Sequence, residues 1–310
     1  MKIYFAPLEG VTTYIFRNAY SEIYGHVDRF FAPFITPAEN CPMTHREKKD
    51  ITPENNTGIN LIPQILTCRS DHFIDAAEAL RAMGYKEVNL NLGCPSGTVC
   101  AKGKGAGFLP KTEALQSFLD DIYSYSESGD LKISIKTRLG YEDPEEFRAL
   151  LDIFNTFPVS ELIVHPRIRT DFYKGEIRKE YFAYALEHAK CPLVYNGNIF
   201  TKEDYEAFSA SLGNQLDPVM LGRGLVSNPS LADKLSGRTE ETDFDKLRRF
   251  HDTIYHEYRK VLAPDINVLH KMRELWTYWQ VLFEEKERDI KRLLKAKKYA
   301  EYEAIVYRIL

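Results

Sequence analysis

Short runs of β-branched and aromatic residues recur along the chain, separated by longer stretches whose apolar positions repeat at helical spacing. Eight runs stand out: Lys2–Ala6, Arg29–Ala32, Ile59–Leu66, Glu87–Leu92, Lys132–Arg138, Glu161–His165, Pro192–Asn196 and Pro218–Leu221. Most intervals carry one amphipathic segment, at Tyr14–Tyr24, His72–Met83, Thr112–Tyr125, Pro144–Phe157, Lys179–Ala189 and Lys202–Leu212. Thr201 before Lys202-Glu203-Asp204 has the order of a capped first turn. Alternating strands and helices indicate a parallel sheet, and eight units ending near residue 238 predict a (β/α)8 TIM barrel rather than an open doubly wound sheet.

The pattern changes after Gly237. No strand signal follows, and Pro264 is the only proline between Asp243 and Leu310. Leu269, Met272, Leu275, Trp276, Trp279, Leu282 and Phe283 make one helical face, and Ile290, Leu293, Leu294, Ile305, Val306 and Ile309 make another. The expected division is a catalytic barrel over 1–240 and a small all-helical domain over 241–310. Trp276 and Trp279 lie on the apolar stripe and read as core, not as a ligand platform.

Composition narrows the class. The 310 residues are 44% hydrophobic and 28% charged, with a mean hydropathy of -0.37, the make-up of an ordinary globular protein. The longest apolar runs fall far short of a bilayer-spanning helix, and Met1–Glu9 reaches Pro7 and Glu9 too soon for a secretory leader. Five cysteines without a C-x-x-C pair suggest neither a disulfide framework nor a zinc site. A reducing cytoplasm is therefore expected, with no membrane association, no metal and no obligate protein partner.

The formal charge of -4 is uneven. Residues 241–310 hold 15 Lys+Arg against 13 Asp+Glu, and seven of those bases crowd into Lys286–Lys298. Such a run suits a polyanion. On composition alone, a solvated face balanced by Glu284, Glu285, Glu287 and Asp289 is the commoner outcome.

A barrel puts its chemistry at the C-terminal ends of its strands. There the sequence reads Ala6-Pro7-Leu8-Glu9-Gly10, Gln64, Asn91-Leu92-Gly93-Cys94-Pro95, Lys136-Thr137-Arg138, His165-Pro166-Arg167, Asn196-Gly197-Asn198 and Gly222-Arg223-Gly224. Together these describe a polar, partly cationic mouth, since buried Lys, Arg and His need partners that packing alone does not supply. The last two groups suit a phosphate: glycines admit a close anion and Arg223 adds a bidentate charge.

Lys136 could form a Schiff base, place charge beside an electron-rich cofactor ring, or be ion-paired. Ser134 and Arg138 point the same way along the strand, and so cationic a site favours the cofactor role. Cys100 lies in a segment with five glycines, Gly93–Gly107, expected to be mobile and, through Lys102 and Lys104, cationic. Chemistry alone leaves it acid or nucleophile. Cys94, Cys41, Cys68 and Cys191 read as incidental.

The ordered set Ala6-Pro7-Leu8-Glu9-Gly10-Val11-Thr12 with Phe16-Arg17, Asn91-Leu92-Gly93-Cys94-Pro95 with Cys100 and Gly105-Ala106-Gly107, Lys136-Thr137-Arg138-Leu139-Gly140, His165-Pro166-Arg167, Asn196-Gly197-Asn198-Ile199 and Gly222-Arg223-Gly224 resembles the tRNA-dihydrouridine synthases. The likeness runs from Ala6 to about Pro229, and the helical tail resembles that family's tRNA-binding domain.

The resemblance implies reduction of the C5=C6 bond of particular tRNA uridines by FMN, with NADPH as reductant. FMN would be held by Pro7, Leu8, Glu9, Gln64, Lys136, His165, Asn196, Gly197, Asn198, Gly222 and Arg223, the last two groups on its phosphate. Hydride would go to uracil C6 and Cys100 would protonate C5, while Lys136 steadies the reduced ring. Asn91, Arg138 and Arg167 would meet the substrate, and Lys102, Lys104, Lys291, Arg292 and Lys295 would dock tRNA. Leu8, Thr13 and Asn198 depart from the family's usual Met, Asp and Asp or Glu, which weakens a side-chain role for those three. A dihydroorotate-dehydrogenase-like enzyme acting on a free pyrimidine would share the barrel but have no use for a basic tail. A non-redox binding protein or Schiff-base lyase would be colourless.

Overall fold

The computed structural model describes residues 1–310, with side chains at every position except 127–129. Nine strands, β1 (Ile3–Phe5), β2 (Arg29–Phe31), β3 (Leu61–Ile62), β4 (Gln64–Ile65), β5 (Glu87–Leu92), β6 (Lys132–Gly140), β7 (Leu162–Ile168), β8 (Leu193–Asn196) and β9 (Val219–Leu221), all pair in parallel. Their order is β3-β2-β1-β9-β8-β7-β6-β5-β4. The extra strand arises at Pro63, which has no N–H and splits the expected third strand in two. Its carbonyl still accepts from the Asn89 N–H at 2.9 Å, and Ile35, just beyond β2, exchanges bonds with Gln64 and Leu66. β3 and β4 are thus consecutive halves of one strand, and the sheet closes into a TIM-type barrel.

Burial sorts the barrel into layers. Tyr4, Ala6, Phe31, Ile62, Ile163, Val194 and Met220 form a closed apolar plug inside it, separate from the larger core between strands and helices. Below the plug, the Tyr4 hydroxyl donates to Glu161 and Arg29 bonds Glu87 and Glu161. Above it, the next inward positions are polar: Gln64, Asn91, Lys136, His165 and Asn196. Strand alternation therefore delivers those side chains to one end of the barrel.

Three short helices escaped the sequence pattern: His45–Ile51, Arg223–Ser227 and Leu231–Leu235. The first buries only Ile51 and has no apolar stripe; a capping box between Thr44 and Glu47 holds its start. The glycine-rich segment after β5, expected to be mobile, is instead packed. It contains the turns Gly97–Cys100 and Gly105–Phe108, and a Cβ at Gly105 would lie 2.8 Å from the Cys94 carbonyl. Close packing explains that glycine.

The C-terminal region is helical, as its periodicity suggests: Phe244–Val261, Asp265–Trp279, Glu287–Leu293 and Tyr299–Ile309. Trp276 and Trp279 are fully buried. Phe250 meets Phe16 and Tyr24 edge-on, at 5.2 Å and 5.5 Å between centroids, and Lys271 donates to the Gly10 carbonyl at 2.6 Å. These contacts bring the helix Asp265–Trp279 to the C-terminal rim of the barrel. No described helix is long and apolar enough to cross a membrane.

Candidate active site

A cavity of about 780 Å³ opens at the C-terminal ends of the strands, within the size range of small-molecule and cofactor sites. Pro7, Leu8, Glu9, Gln64, Asn91, Lys136, Arg138, His165, Asn196, Gly197, Gly222 and Arg223 all line it. Residues distant in sequence meet here because seven strand ends converge on one mouth.

Lys136 sits at the end of the polar layer without a hydrogen bond or ion pair to any described residue. Burial, with the neighbouring Arg138, lowers its ammonium to about 7. Burial and the charges of Arg138, Lys136, Arg167 and Arg223 hold His165 well below the ordinary histidine range, so its ring is neutral. Arg167 lies 3.0 Å from His165 Nε2. Because a guanidinium only donates, Nε2 accepts and the ring proton sits on Nδ1.

The amide groups form a directed chain. Ser134 receives the Asn89 amide at 3.0 Å, Asn89 Oδ1 receives Gln64 Nε2 at 2.7 Å, and Gln64 Oε1 receives Asn91 Nδ2 at 2.7 Å. Asn91 Oδ1 then accepts the backbone N–H groups of Gly93 and Cys94, at 3.0 Å and 2.9 Å. Arg138 ties the same turn to β7 through the carbonyls of Gly93 and Ile168. Asn91 and Arg138 thus reach the cavity while also fixing its wall.

Other expected residues lie elsewhere. Arg167 is buried behind the wall, bonded to Gly175 O and to Asn198 Oδ1. Asn198 faces outward; its Oδ1 is shared by Arg167 and, at 2.9 Å, by Arg223. Neither Arg167 nor Asn198 lines the cavity. Lys102 is exposed and Lys104 half-buried, both off the lining. Lys291, Arg292 and Lys295 are exposed at and just beyond the helix Glu287–Leu293, with Lys291 paired to Glu287.

Cys100, expected as the acid, is buried, and its thiol donates to the Cys94 carbonyl at 3.4 Å. The thiol on the cavity wall is that of Cys94, a residue that reads as incidental in the sequence. Burial raises the Cys94 thiol, against the opposing charges of Arg138 and Lys136. Its position follows from the Asn91 turn; the signal available in sequence is that Cys94 directly follows a strand end, where barrel chemistry collects. Sequence reasoning also misses Pro33, Phe34, Phe172 and Tyr173, and the contribution of the C-terminal helix through Glu274 and Tyr278.

A closed parallel barrel with a cationic cavity at its strand ends has the architecture of a barrel enzyme. The chain belongs to the dihydrouridine synthase family, a family of oxidoreductases: the family model Dihydrouridine synthase (Dus) matches residues 4–307. It is similar to a probable tRNA-dihydrouridine synthase of Staphylococcus epidermidis, 28% identical over 278 residues covering 87% of this chain and 83% of the relative. Probable tRNA-dihydrouridine synthase 2 of Bacillus subtilis is 27% identical over 264 residues, covering 82% of this chain and 78% of that protein. Among solved structures, an old yellow enzyme homologue from Zymomonas mobilis shares the fold, with a TM-score of 0.57 at 13% identity, covering 80% of this chain and 92% of that one.

Proposed function

We propose that this protein reduces particular uridines of tRNA to 5,6-dihydrouridine, using FMN and NADPH, in the cytoplasm. The observation that carries the reading is the meeting of an unpaired lysine, Lys136, and a protonated thiol, Cys94, in one cavity.

The cavity suits FMN on its own chemistry. Lys136 has no ion pair among the described residues, and Arg223 bonds only the neutral Asn198 amide that it shares with Arg167, which suits an anionic ring and a phosphate. A Cβ at Gly222 would press on Ala6 and Leu8 at 3.3 Å, and its absence leaves room for close approach beside Arg223. FMN would be held by Gln64, Lys136, His165, Asn196, Gly197, Gly222 and Arg223, with Pro7, Leu8 and Glu9 along its edge. Bound there and recharged by NADPH, FMN would supply the hydride for uracil C6.

Protonation of C5 falls to the protein. Cys94, raised by burial, keeps its proton near neutral pH and can give it up as a general acid. Lys136 and Arg138 then stabilise the thiolate until solvent reprotonates it. This assigns the acid to Cys94 in place of Cys100. Entry of the base requires the uridine to leave its stack, at a cost of a few kcal/mol that contacts to the rest of the tRNA must offset.

Acid release of the cofactor followed by chromatography tests the reading. FMN is the expected product; FAD, or no flavin from folded protein, overturns the assignment.

A further inference from the structure

The rim of the cavity carries two adjacent exposed rings that the chemistry above does not use. Phe172 is 44% and Tyr173 52% exposed, an unusual position for a neighbouring aromatic pair, and both line the cavity mouth. Phe172 has φ 50 and ψ -105, a backbone conformation that bulky residues rarely adopt. The two exposed rings thus sit on a backbone held against local preference at Phe172.

Cations surround these rings. The Arg223 and Arg138 guanidinium carbons lie 5.0 Å and 5.4 Å from the Tyr173 centroid. Arg169 lies 5.0 Å from Phe172 and 5.2 Å from Tyr141, and its buried Nε has no hydrogen-bond partner among the described residues. The nearest acid of the turn, Asp171, is engaged by Arg178 and the Ile168 N–H. What remains is a pair of rings about half exposed, each with guanidinium packed against it.

We propose that Phe172 and Tyr173 form a stacking platform for a nucleobase that flanks the base entering the cavity. The proposal rests on the reading of the protein as a tRNA-uridine reductase. Single-stranded nucleic acid is recognised by aromatic rings and guanidinium planes that stack unpaired bases, with basic groups tracking the backbone. The platform is continuous with the cavity and carries the matching charge. It meets a mechanical need as well: a base drawn out of its stack leaves a neighbour with an uncovered face, and a ring at the mouth covers it.

The test is binding of a fluorescein-labelled hexauridylate to the flavin-loaded protein by fluorescence anisotropy, at several salt concentrations. Phe172→Ala and Tyr173→Ala should each weaken binding by about tenfold, the scale of one base–ring stack. Stacking releases no counterions, so the slope of log affinity against log salt should stay unchanged. Phe172→Tyr and Tyr173→Phe should restore affinity to within about twofold, since either ring stacks. Affinity unaltered in both alanine variants overturns the proposal, and so does a flattened slope, which would mean that the rings act only by placing arginines against phosphate. Dihydrouridine formation by the unaltered protein is measured alongside. Its absence with ring-dependent binding intact would fault the functional reading and leave the platform standing; its presence with ring-independent binding would do the reverse.

Discussion

Asn91 Oδ1 accepts the backbone N–H of Cys94 at 2.9 Å, so the last inward side chain of β5 fixes the backbone that carries the cavity thiol. The same carboxamide donates to Gln64 Oε1, linking the Cys94 turn to the floor of the site. Asn91→Ala should release that turn. Loss of orientation on the scale of 1 Å can cost ~10²-fold, so uridine reduction should slow by about that factor while flavin content holds. Single-turnover reduction of tRNA by the pre-reduced protein measures it; an unchanged rate would show that the turn holds without Asn91.

The two cysteines separate cleanly. Cys94→Ala should slow uridine reduction by ~10²–10⁴-fold, the usual loss of a general acid, with NADPH oxidation by an artificial acceptor largely retained. Cys100→Ala removes a buried thiol that donates to Cys94 O at 3.4 Å and should have a small effect. Steady-state rates of the two half-reactions compare them, and the opposite ranking would return the acid's role to Cys100.

Lys136 sets a pH dependence of definite sign. Its folded pKa of about 7 lies below the ordinary lysine value of 10.5, so between those values the unfolded chain binds more protons and the flavin-free protein gains stability as pH rises. Lys136→Met should remove that slope and raise the Tm of the flavin-free protein at neutral pH. FMN favours the charged lysine, so affinity should fall as pH rises above 7, by up to about tenfold per unit. Thermal melts and flavin titrations between pH 7 and 9 give both signs; a Met variant that binds FMN as the native protein does would remove Lys136 from the site.

Much of this is legible in the sequence because strand alternation is periodic. Gln64, Lys136, His165 and Asn196 can be placed on one mouth from position alone, and the barrel and helical tail follow from the change of period near Gly237. Proximity to a strand end is the one sequence signal that favours Cys94 over Cys100, and the place of Cys94 on the cavity wall is not legible there. It depends on a three-residue turn whose direction is set by Asn91 and Arg138, through bonds that no local pattern encodes. Strand alternation does not place Arg167, near the end of β7, or Asn198, just beyond β8: their side chains bond each other off the cavity lining. Glu274 and Tyr278 reach the cavity through packing of the C-terminal helices against the barrel, in which Phe250 and Lys271 take part.

The basic run of the tail is tested by salt. Reversal of Lys291, Arg292 and Lys295 to Glu should weaken tRNA binding and flatten its log–log salt dependence, by up to about one unit for each phosphate no longer neutralised. All three side chains are exposed and absent from the cavity lining, so flavin content should not change. Equal slopes for the native and triple-Glu proteins would identify the run as a solvated face.

The most direct test of the central claim is a map of dihydrouridine in tRNA from cells with and without this protein. The expected result is one or more uridine positions that are reduced when it is present, unreduced when it is deleted, and reduced again in the isolated tRNA on addition of the purified protein and NADPH. Identical maps in the two strains, together with no dihydrouridine formed on the isolated tRNA, would contradict it.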